Sequence, residues 1–275
     1  AVEKYVGDAP STLNVVFPEI YLGTIENQEN DCNSSGDGVK NDKETGRKTK
    51  YASMTDDERI KYINTTMDTY LTDGTLKQVV ADGYVLVERT TESGVRLGIV
   101  GLIDLDDYDF DPKKKTLIRA TEGTVISRIP PRVKIRENAA IELPHVMLLV
   151  DDPIDRQKID GCQGATQEDA VNIAAVKHGI IEYVYAIRDT LRKLYDTELM
   201  QGGGHIRGYA VEGEAAKQVT EAFAAKQNSC GGFLFAVGDG NHSLATAKTC
   251  WENIKKSGKF TEEQLKTHPA RHALV

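Results

Sequence analysis

The spacing of apolar and polar positions along the chain predicts a mixed fold of strands and helices. Two runs rich in Val, Ile and Leu, Tyr84–Glu88 and Leu97–Leu105, flank a turn near Ser93, which is typical of an antiparallel hairpin. Other apolar runs also predict strands, and those without any polar residue are expected to be buried. These further strands are predicted at Val146–Val150, Gly204–Val211 and Phe233–Val237.

Apolar residues recur at helical spacing in four other stretches. The first helix is expected to begin at the capping box formed by Thr55 and Glu58, with Gly74 as its left-handed terminator. The interspersed elements predict an α/β fold with α+β character, a mixed sheet flanked by helices in a single region over residues 1–275. The remaining predicted helices are Ala186–Leu194, Gly213–Gln227 and Ser243–Lys255.

Residues 26–51 interrupt this pattern with a polar segment of low complexity. It has almost no apolar side chains to bury, so we expect a flexible surface insertion.

The segment Gly238–Ser243 has the sequence Gly-Asp-Gly-Asn-His-Ser and stands between a predicted strand and a predicted helix. A strand, a tight turn and a helix start in succession present backbone N–H groups and a partial positive charge to an anion. Gly238 and Gly240 remove side chains where the backbone must bend or approach a ligand. This pattern predicts a ligand site of the strand–turn–helix type.

The other residues of this segment have side chains suited to phosphate chemistry. Asp239 could hold a metal-bound phosphate or act as a base, and His242 could donate a proton or bind phosphate oxygens. Asn241 and Ser243 could donate hydrogen bonds, and Lys248 stands about one helical turn further along. A simply capped helix is the alternative, because Asp, Asn and Ser are also the usual N-cap residues.

Charge and composition restrict the classes of partner. The formal net charge is −8, so the chain as a whole should not attract nucleic acid or anionic membranes. No apolar run reaches the length of a membrane span, and no secretory signal is visible. The four cysteines form no Cys-x-x-Cys pair, which argues against a zinc site and favours a reducing cytoplasm. A small anionic ligand is the expected partner, and the sequence leaves the oligomeric state open.

A basic segment runs against this acidic balance between Lys113 and Arg136, where Glu122 is the only acid. Such a positive stretch could bind phosphate or carboxylate, or it could be a solvated face paired with acids elsewhere. Glu122 could be an ion-pair partner or a carboxylate held in a site. The arginines considered as anion ligands are Arg119, Arg128, Arg132 and Arg136.

Two histidines are secondary candidates for binding substrate. His145 directly precedes a predicted strand, and His205 follows the run Gly202–Gly204. Three glycines suggest a close approach of the backbone, either to a ligand or as a flexible lead into the next strand.

Several stretches together resemble the bacterial domain-of-unknown-function family 1015. The resemblance covers most of the chain after Met54 and extends to the opening segment. Members of that family are usually longer at both ends, so we expect this chain, which begins at Ala1 without Met, to be part of a longer protein. The stretches are GLIDLDDYDF, LIRATEGTVISRIPPRVKIREN, ELPHVMLLVDDP, LYDTELMQGGGHIRGYAV and FAVGDGNHSLATAK.

The Asp-Gly-x-His turn of that family is similar to one in the ParB/sulfiredoxin-like superfamily, which includes free serine kinases. There an Asp-Gly-His-His-Arg turn helps to bind phosphate and substrate. Asp239, Gly240 and His242 match this pattern, whereas Asn241 and Ser243 depart from it. An arginine of the basic segment would therefore have to replace the missing one.

The resemblance implies phosphoryl transfer involving a small hydroxyl compound, with serine or phosphoserine as the leading candidate. A nucleotide or pyrophosphate would carry the phosphoryl group, and Mg²⁺ would be held by Asp239. Glu122 would take the place of the catalytic base of those kinases, beside Asp239 and His242. The alternatives are a nucleotide-binding switch or partner-binding module without turnover, and an inactive scaffold.

Overall fold

The computed structural model describes residues 6–7, 9–22, 54–143, 146–152, 179–200 and 202–275. The chain forms two compact units. Unit 1 comprises Ala1–Lys77, Thr124–Leu143 and His242–Leu265, and unit 2 comprises Gln78–Gly123, Pro144–Asn241 and Lys266–Val275. The insertion predicted at residues 26–51 and the candidate His145 lie outside the described residues.

The described elements are named here in chain order. The helices are α1 (Asp56–Thr72), α2 (Ile129–Arg136), α3 (Ile180–Ala186), α4 (Gly213–Ser229), α5 (Asn241–Lys256) and α6 (Glu262–Lys266). The strands are β1 (Tyr84–Thr91), β2 (Gly94–Val100), β3 (Leu102–Asp104), β4 (Tyr108–Asp109), β5 (Ile118–Ala120), β6 (Met147–Val150), β7 (Arg192–Glu198), β8 (His205–Val211), β9 (Phe235–Asp239) and β10 (His272–Leu274).

Helix α1 of unit 1 starts and ends where the sequence predicted. Thr55 Oγ1 accepts a hydrogen bond from the Glu58 N–H at 3.3 Å, and Glu58 Oε2 accepts one from the Thr55 N–H at 2.8 Å. These reciprocal bonds satisfy amide groups that the first helical turn cannot pair internally. Gly74 has a φ of 77°, the left-handed conformation that a glycine adopts without strain. The apolar stripe of α1 packs in a buried cluster formed by Val15, Phe17, Leu22, Ile60, Ile63 and Met67.

The first sheet of unit 2 is antiparallel, in the order β2–β1–β8–β7. The predicted hairpin is confirmed, because β1 pairs with β2 through to Thr91 opposite Gly94. The predicted second strand, Leu97–Leu105, is wrong beyond Val100, because Leu102–Asp104 forms β3, which pairs with β10 in a separate sheet. Helices α3 and α4 cover one face of the sheet and bury its apolar side chains. The resulting core contains Leu86, Ile180, Tyr183, Val184, Ile187, Tyr209, Val211, Val219 and Ala222.

The helix predicted at Ala186–Leu194 is wrong. Helix α3 ends at Ala186, a 3₁₀ turn spans Arg188–Thr190, and strand β7 begins at Arg192. The apolar residues that suggested helical spacing fall in different elements, and pairing with β8 fixes the extended conformation from Arg192 onward. Pairing with the next strand along the chain therefore overrides the local pattern here.

The second large sheet of unit 2 is mixed, in the order β4–β5–β9–β6, which confirms the predicted mixed sheet. Strands β4, β5 and β9 are parallel, and β6 pairs antiparallel with β9. Strand β6 was expected to be fully buried, but the side chains of Met147 and Leu149 are 51% and 54% exposed. Among the described strands β6 is the last of its sheet, so its apolar run does not have the cover of a central strand.

Replacing Leu86 by Ala tests the core of unit 2. Leu86 is fully buried between the sheet and its helices, so the loss of its side chain should leave a cavity and lower the free energy of unfolding by about 2–5 kcal/mol. Urea denaturation followed by circular dichroism measures the change. Val79→Ala is the control, because Val79 is 58% exposed and its truncation should change the free energy by less than about 0.5 kcal/mol. Equal effects of the two substitutions would contradict the assigned core.

Candidate functional site

The strand–turn–helix segment exists, with boundaries that differ from the prediction. Strand β9 ends at Asp239, two residues after the predicted end, and helix α5 begins at Asn241, two residues before the predicted start. Gly240 alone joins them, with a φ of 85° that favours glycine. His242 and Ser243 therefore belong to the first turn of a helix and are not loop residues.

A β-bulge explains why the strand can extend through Gly238. Leu148 pairs with Val237 while Met147 pairs with Asp239, so Gly238 is an extra residue on β9. A Cβ atom at Gly238 would lie 3.0 Å from Leu149 Cγ, which is tighter than an ordinary van der Waals contact. A larger residue at this position would need the Leu149 side chain to shift by a few tenths of an ångström.

The Asp239 carboxylate contributes to the turn itself. Its Oδ1 accepts a hydrogen bond from the Gly240 N–H at 2.7 Å. Asp239 is exposed and can also meet a ligand from its solvent side. The hydrogen bond to Gly240 therefore does not prevent the predicted role of Asp239 in binding a ligand.

Parallel pairing of β5 and β9 brings Glu122 to Asn241. Both strands end at the same edge of the sheet, where the chain after β5 is fixed by a 2.6 Å hydrogen bond from Thr121 Oγ1 to the Val237 carbonyl oxygen. Glu122 follows directly, and its Oε1 accepts a hydrogen bond from Asn241 Nδ2 at 3.2 Å. The carboxyl ends of parallel strands are the usual place for ligand sites in α/β sheets.

Only the nitrogen of the Asn241 side-chain amide has a hydrogen-bond partner among the described residues. Asn241 is 3% exposed, and within the described part of the chain its Oδ1 has no hydrogen-bond partner. Burying such an acceptor without a donor costs about 1–3 kcal/mol, so native structures rarely leave one unpaired. Among the described residues of unit 2, Tyr108 Oη is likewise buried without a partner, and Asn241 Oδ1 belongs to the side chain that contacts the Glu122 carboxylate.

In unit 1 the ring of His242 has a defined hydrogen-bonding role. Its Nε2 lies 3.1 Å from the Val125 N–H and accepts that hydrogen bond. Nε2 is therefore unprotonated, and Nδ1 carries the proton of the neutral ring. Any contact of His242 with a phosphate oxygen would use Nδ1–H.

Lys248 and Ser243 differ in their surroundings. The Lys248 ammonium is largely buried and forms a 2.9 Å ion pair with Glu252 Oε1, one turn further along α5. Ser243 is exposed in the first turn of the helix. A role of either in binding phosphate stays a prediction.

Arg119 makes structural contacts within unit 2. Its Nε donates to the Thr116 carbonyl oxygen at 2.9 Å, and its Nη2 donates to the Gly232 carbonyl oxygen at 3.0 Å. The guanidinium carbon also lies 4.6 Å from the centre of the Phe233 ring. These contacts join β5 to the segment that leads into β9.

The other three candidate arginines belong to unit 1, at intervals of four residues along α2 and the turn before it. Arg132 Nη1 donates to the Arg128 carbonyl oxygen at 3.0 Å. Arg136 pairs with Glu142 at 2.5 Å. The arginines named from the basic segment are thus divided between the two units, and a role of any of them in binding an anion stays a prediction.

The glycine run before His205 serves strand pairing. A Cβ atom at Gly204 would lie 1.9 Å from the Thr90 carbonyl oxygen, on the neighbouring strand β1. Gly204 also has a φ of 77°. The close approach that the sequence suggested is therefore to the protein's own backbone.

His205 lies between two carboxylates on the sheet. Its Nδ1 is 2.6 Å from Glu198 Oε1, and its Nε2 is 2.5 Å from Asp196 Oδ1. Asp196 also receives a hydrogen bond from Lys193, and this bond, together with the one from His205 and the nearby charge of Arg207, holds the pKa of its carboxyl well below the usual range. The hydrogen bonds to Glu198 and Asp196 raise the pKa of His205. The two carboxylates therefore favour the protonated form of the His205 ring.

Comparison with known proteins identifies the family. The family model described as "Protein of unknown function (DUF1015)" matches residues 1–275, the whole chain. The chain therefore belongs to this family. No curated protein and no solved structure matches it significantly. A search of the described helices finds none with the length and apolar character that crossing a membrane requires.

The paired histidine leads to a prediction about pH. Because the folded protein raises the pKa of His205, the contribution of its ion pairs to stability is complete below about pH 6.5 and is lost as the pH rises through the raised value. Histidine ring signals followed by NMR over pH 5–9 should show His205 titrating above the usual value. Glu198→Gln should lower that pKa, whereas Glu221→Gln, an exposed change on α4, should not. A His205 pKa at or below 6.5 in the unsubstituted protein would contradict the network.

Proposed function

We propose that the chain is a phosphotransferase that moves a phosphoryl group between a nucleotide or pyrophosphate and a small hydroxyl compound. Serine or phosphoserine is the leading candidate for that compound. The observation that supports this proposal most directly is the Glu122–Asn241 pair, in which a carboxylate and a buried, unpaired amide oxygen lie together at the end of β9.

The two acceptors of this pair suit a hydroxyl substrate that carries hydrogen-bond donors. Glu122 is exposed, and Asn241 Nδ2 contacts one of its oxygens, so its carboxylate can meet a substrate hydroxyl. In phosphoryl transfer a carboxylate in this position accepts the proton of the attacking hydroxyl. Asn241 Oδ1 would accept a hydrogen bond from the same molecule. Serine, with a hydroxyl and an ammonium group, offers a donor to each acceptor.

The turn beside this pair supports the phosphate side of the proposal. Helix α5 has 16 residues and begins at Asn241, so the partial positive charge of its N-terminus lies at this end. The backbone of Gly240 carries no side chain that would hinder a phosphate group. The similarity of Asp239, Gly240 and His242 to the phosphate-binding turn of free serine kinases favours the same assignment.

A magnesium ion fits this arrangement as a companion of the phosphate groups. The described residues contain no group of three or more His, Cys, Asp or Glu side chains that could hold a metal by themselves. Mg²⁺ is commonly held by one or two carboxylates together with substrate phosphates, and Asp239 is the side chain proposed for it. When bound, the ion would neutralise charge on the phosphate oxygens.

An assay of the Glu122→Gln variant tests the proposal. Glutamine keeps the size of the side chain but cannot take up the hydroxyl proton, so kcat should fall by about 10²–10⁴-fold with a smaller change in KM. The donor and acceptor pairs to be tried are ATP, ADP or pyrophosphate with serine, and phosphoserine with ADP. Glu92→Gln, in the exposed turn between β1 and β2, is the matched control and should retain activity.

The outcomes of this assay separate the candidate functions. An unchanged kcat in the Glu122→Gln variant would overturn the assigned role of the carboxylate. Calorimetric binding of a nucleotide without turnover of any pair would favour a nucleotide-binding switch or partner-binding module. If the protein neither binds a nucleotide nor turns over any pair, the result would indicate an inactive scaffold.

A further inference from the structure

The antiparallel sheet β2–β1–β8–β7 has a second face, opposite to the one that packs on α3 and α4. Side chains alternate between the two faces of a strand, so the burial of Leu86 and Tyr209 under the helices fixes which residues point the other way. This second face is called the open face from here on, because its side chains include residues that are exposed to solvent. It carries Val87, Arg89, Arg96, Gly98, Tyr195 and Gly208.

The charged residues of these four strands are divided between the two faces. The face towards the helices holds every acidic residue of the strands, and each one has a basic partner on the same face. The open face holds three arginines and no acidic strand residue, and one of these arginines, Arg192, pairs with Glu212 just after β8. The open face is therefore locally positive in a chain whose net charge is −8. The acidic residues of the strands are Glu88, Asp196 and Glu198.

The other two arginines form a pair of like charges. Arg89 on β1 lies directly opposite Arg96 on β2, and like charges in such a cross-strand pair destabilise a sheet. Arg89 Nη2 donates a hydrogen bond to the Gly203 carbonyl oxygen at 3.2 Å, and neither guanidinium forms an ion pair within the described residues. An anion bound between them would remove the repulsion, and the planar guanidinium group suits phosphate oxygens in particular.

An aromatic ring lies in the next row of the same face. This row crosses the sheet through Gly98, Val87, Gly208 and Tyr195. A Cβ atom at Gly208 would lie 2.1 Å from Tyr195 Cζ, so the end of the ring occupies the place of the missing side chain. A Cβ atom at Gly98 would meet no atom within 4 Å, so the space above β2 is open. Tyr195 is 38% exposed, and its ring is accessible to another flat ring.

An exposed ring beside an unpaired couple of arginines matches single-stranded nucleic acid. Proteins bind such strands through basic side chains that contact the phosphates and aromatic side chains on which the bases stack. The bases of a duplex already stack on one another, so their faces are not available to Tyr195. An acidic peptide would meet the two arginines but brings no regular flat ring for the tyrosine.

We propose that the open face binds single-stranded nucleic acid, with a phosphate group between Arg89 and Arg96 and a base stacked on Tyr195. This site does not depend on the proposed phosphotransferase activity, because it lies on a different sheet from the strands that position Glu122 and Asn241. Since the chain as a whole is acidic, the affinity should fall steeply as the salt concentration rises.

Fluorescence anisotropy with labelled oligouridylate and oligothymidylate of about 12 nucleotides tests the role of the ring. At low salt the unsubstituted protein should bind these strands more tightly than a duplex of the same length. Tyr195→Leu keeps an apolar side chain near Gly208 but has no ring, so it should weaken binding by about tenfold. Tyr195→Phe keeps the ring and should bind with an unchanged Kd.

Arg96→Glu separates binding from folding. The substitution replaces the repulsion of Arg89 by an attraction across the two strands, so the urea midpoint of unfolding should rise. The same substitution removes a phosphate contact and should weaken oligonucleotide binding by at least about tenfold. Lys217→Glu is the matched control, because it changes the net charge equally on α4, where the Lys217 side chain is 62% exposed, and it should leave the Kd unchanged.

Three results would overturn the proposal. The first is that neither oligonucleotide binds the unsubstituted protein, and the second is that Tyr195→Leu and Arg96→Glu bind with unchanged Kd. The third is that a polyglutamate peptide binds as tightly as the oligonucleotides and depends on Arg96 but not on Tyr195, which would indicate an acidic protein partner. The assay of Glu122→Gln is independent of all three, so either proposal can fail while the other stands.

Discussion

A buried side-chain amide is stable only when both its N–H donors and its oxygen acceptor have partners, and Asn241 at the start of α5 is such an amide. Asn241 meets half of this requirement through the hydrogen bond to Glu122 and leaves a carbonyl oxygen that no described group of the protein pairs. Replacing this residue by an apolar one would remove the penalty of the unpaired oxygen. Under the proposed function, a ligand that donates a hydrogen bond to this oxygen would supply the missing partner.

The mixed sheet explains how such a group comes to lie beside a carboxylate. Parallel strands β5 and β9 end at one edge, and the hydrogen bond from Thr121 to the Val237 carbonyl oxygen fixes the segment that carries Glu122. The bulge at Gly238 extends β9 to Asp239 before the helix begins. Backbone pairing thus brings the side chains of Glu122 and Asn241 into contact, although the two residues are 119 positions apart in sequence.

The sequence predicted those elements whose determinants are local. The capping box of α1, the hairpin of β1 and β2, and the helix after Gly240 depend on neighbouring residues, and all three are present. The predicted full burial of strand β6 is wrong because burial depends on the position of a strand in its sheet. The composition of a short apolar run does not indicate that position. The same limit applies to Ala186–Leu194, where pairing with the next strand, β8, fixes the conformation from Arg192 onward.

The candidate site was predictable as a set of residues but not as an arrangement. Glu122 and Asn241 were both recognised as polar residues in suggestive positions, yet nothing in the local pattern indicates that they touch. Near His205 the glycine run suggested a close approach of the backbone to a ligand, but Gly204 lies against the backbone of Thr90. Which side chains come into contact depends on how distant strands pair, and the local sequence pattern does not indicate that pairing.

A crystal structure of the protein with serine and a nonhydrolysable nucleotide tests the central claim most directly. The account predicts a donor atom of the ligand within hydrogen-bonding distance of Asn241 Oδ1, with the hydrogen bond from Asn241 Nδ2 to Glu122 retained. A ligand bound elsewhere, with Asn241 Oδ1 paired to a donor of the protein itself, would contradict the account.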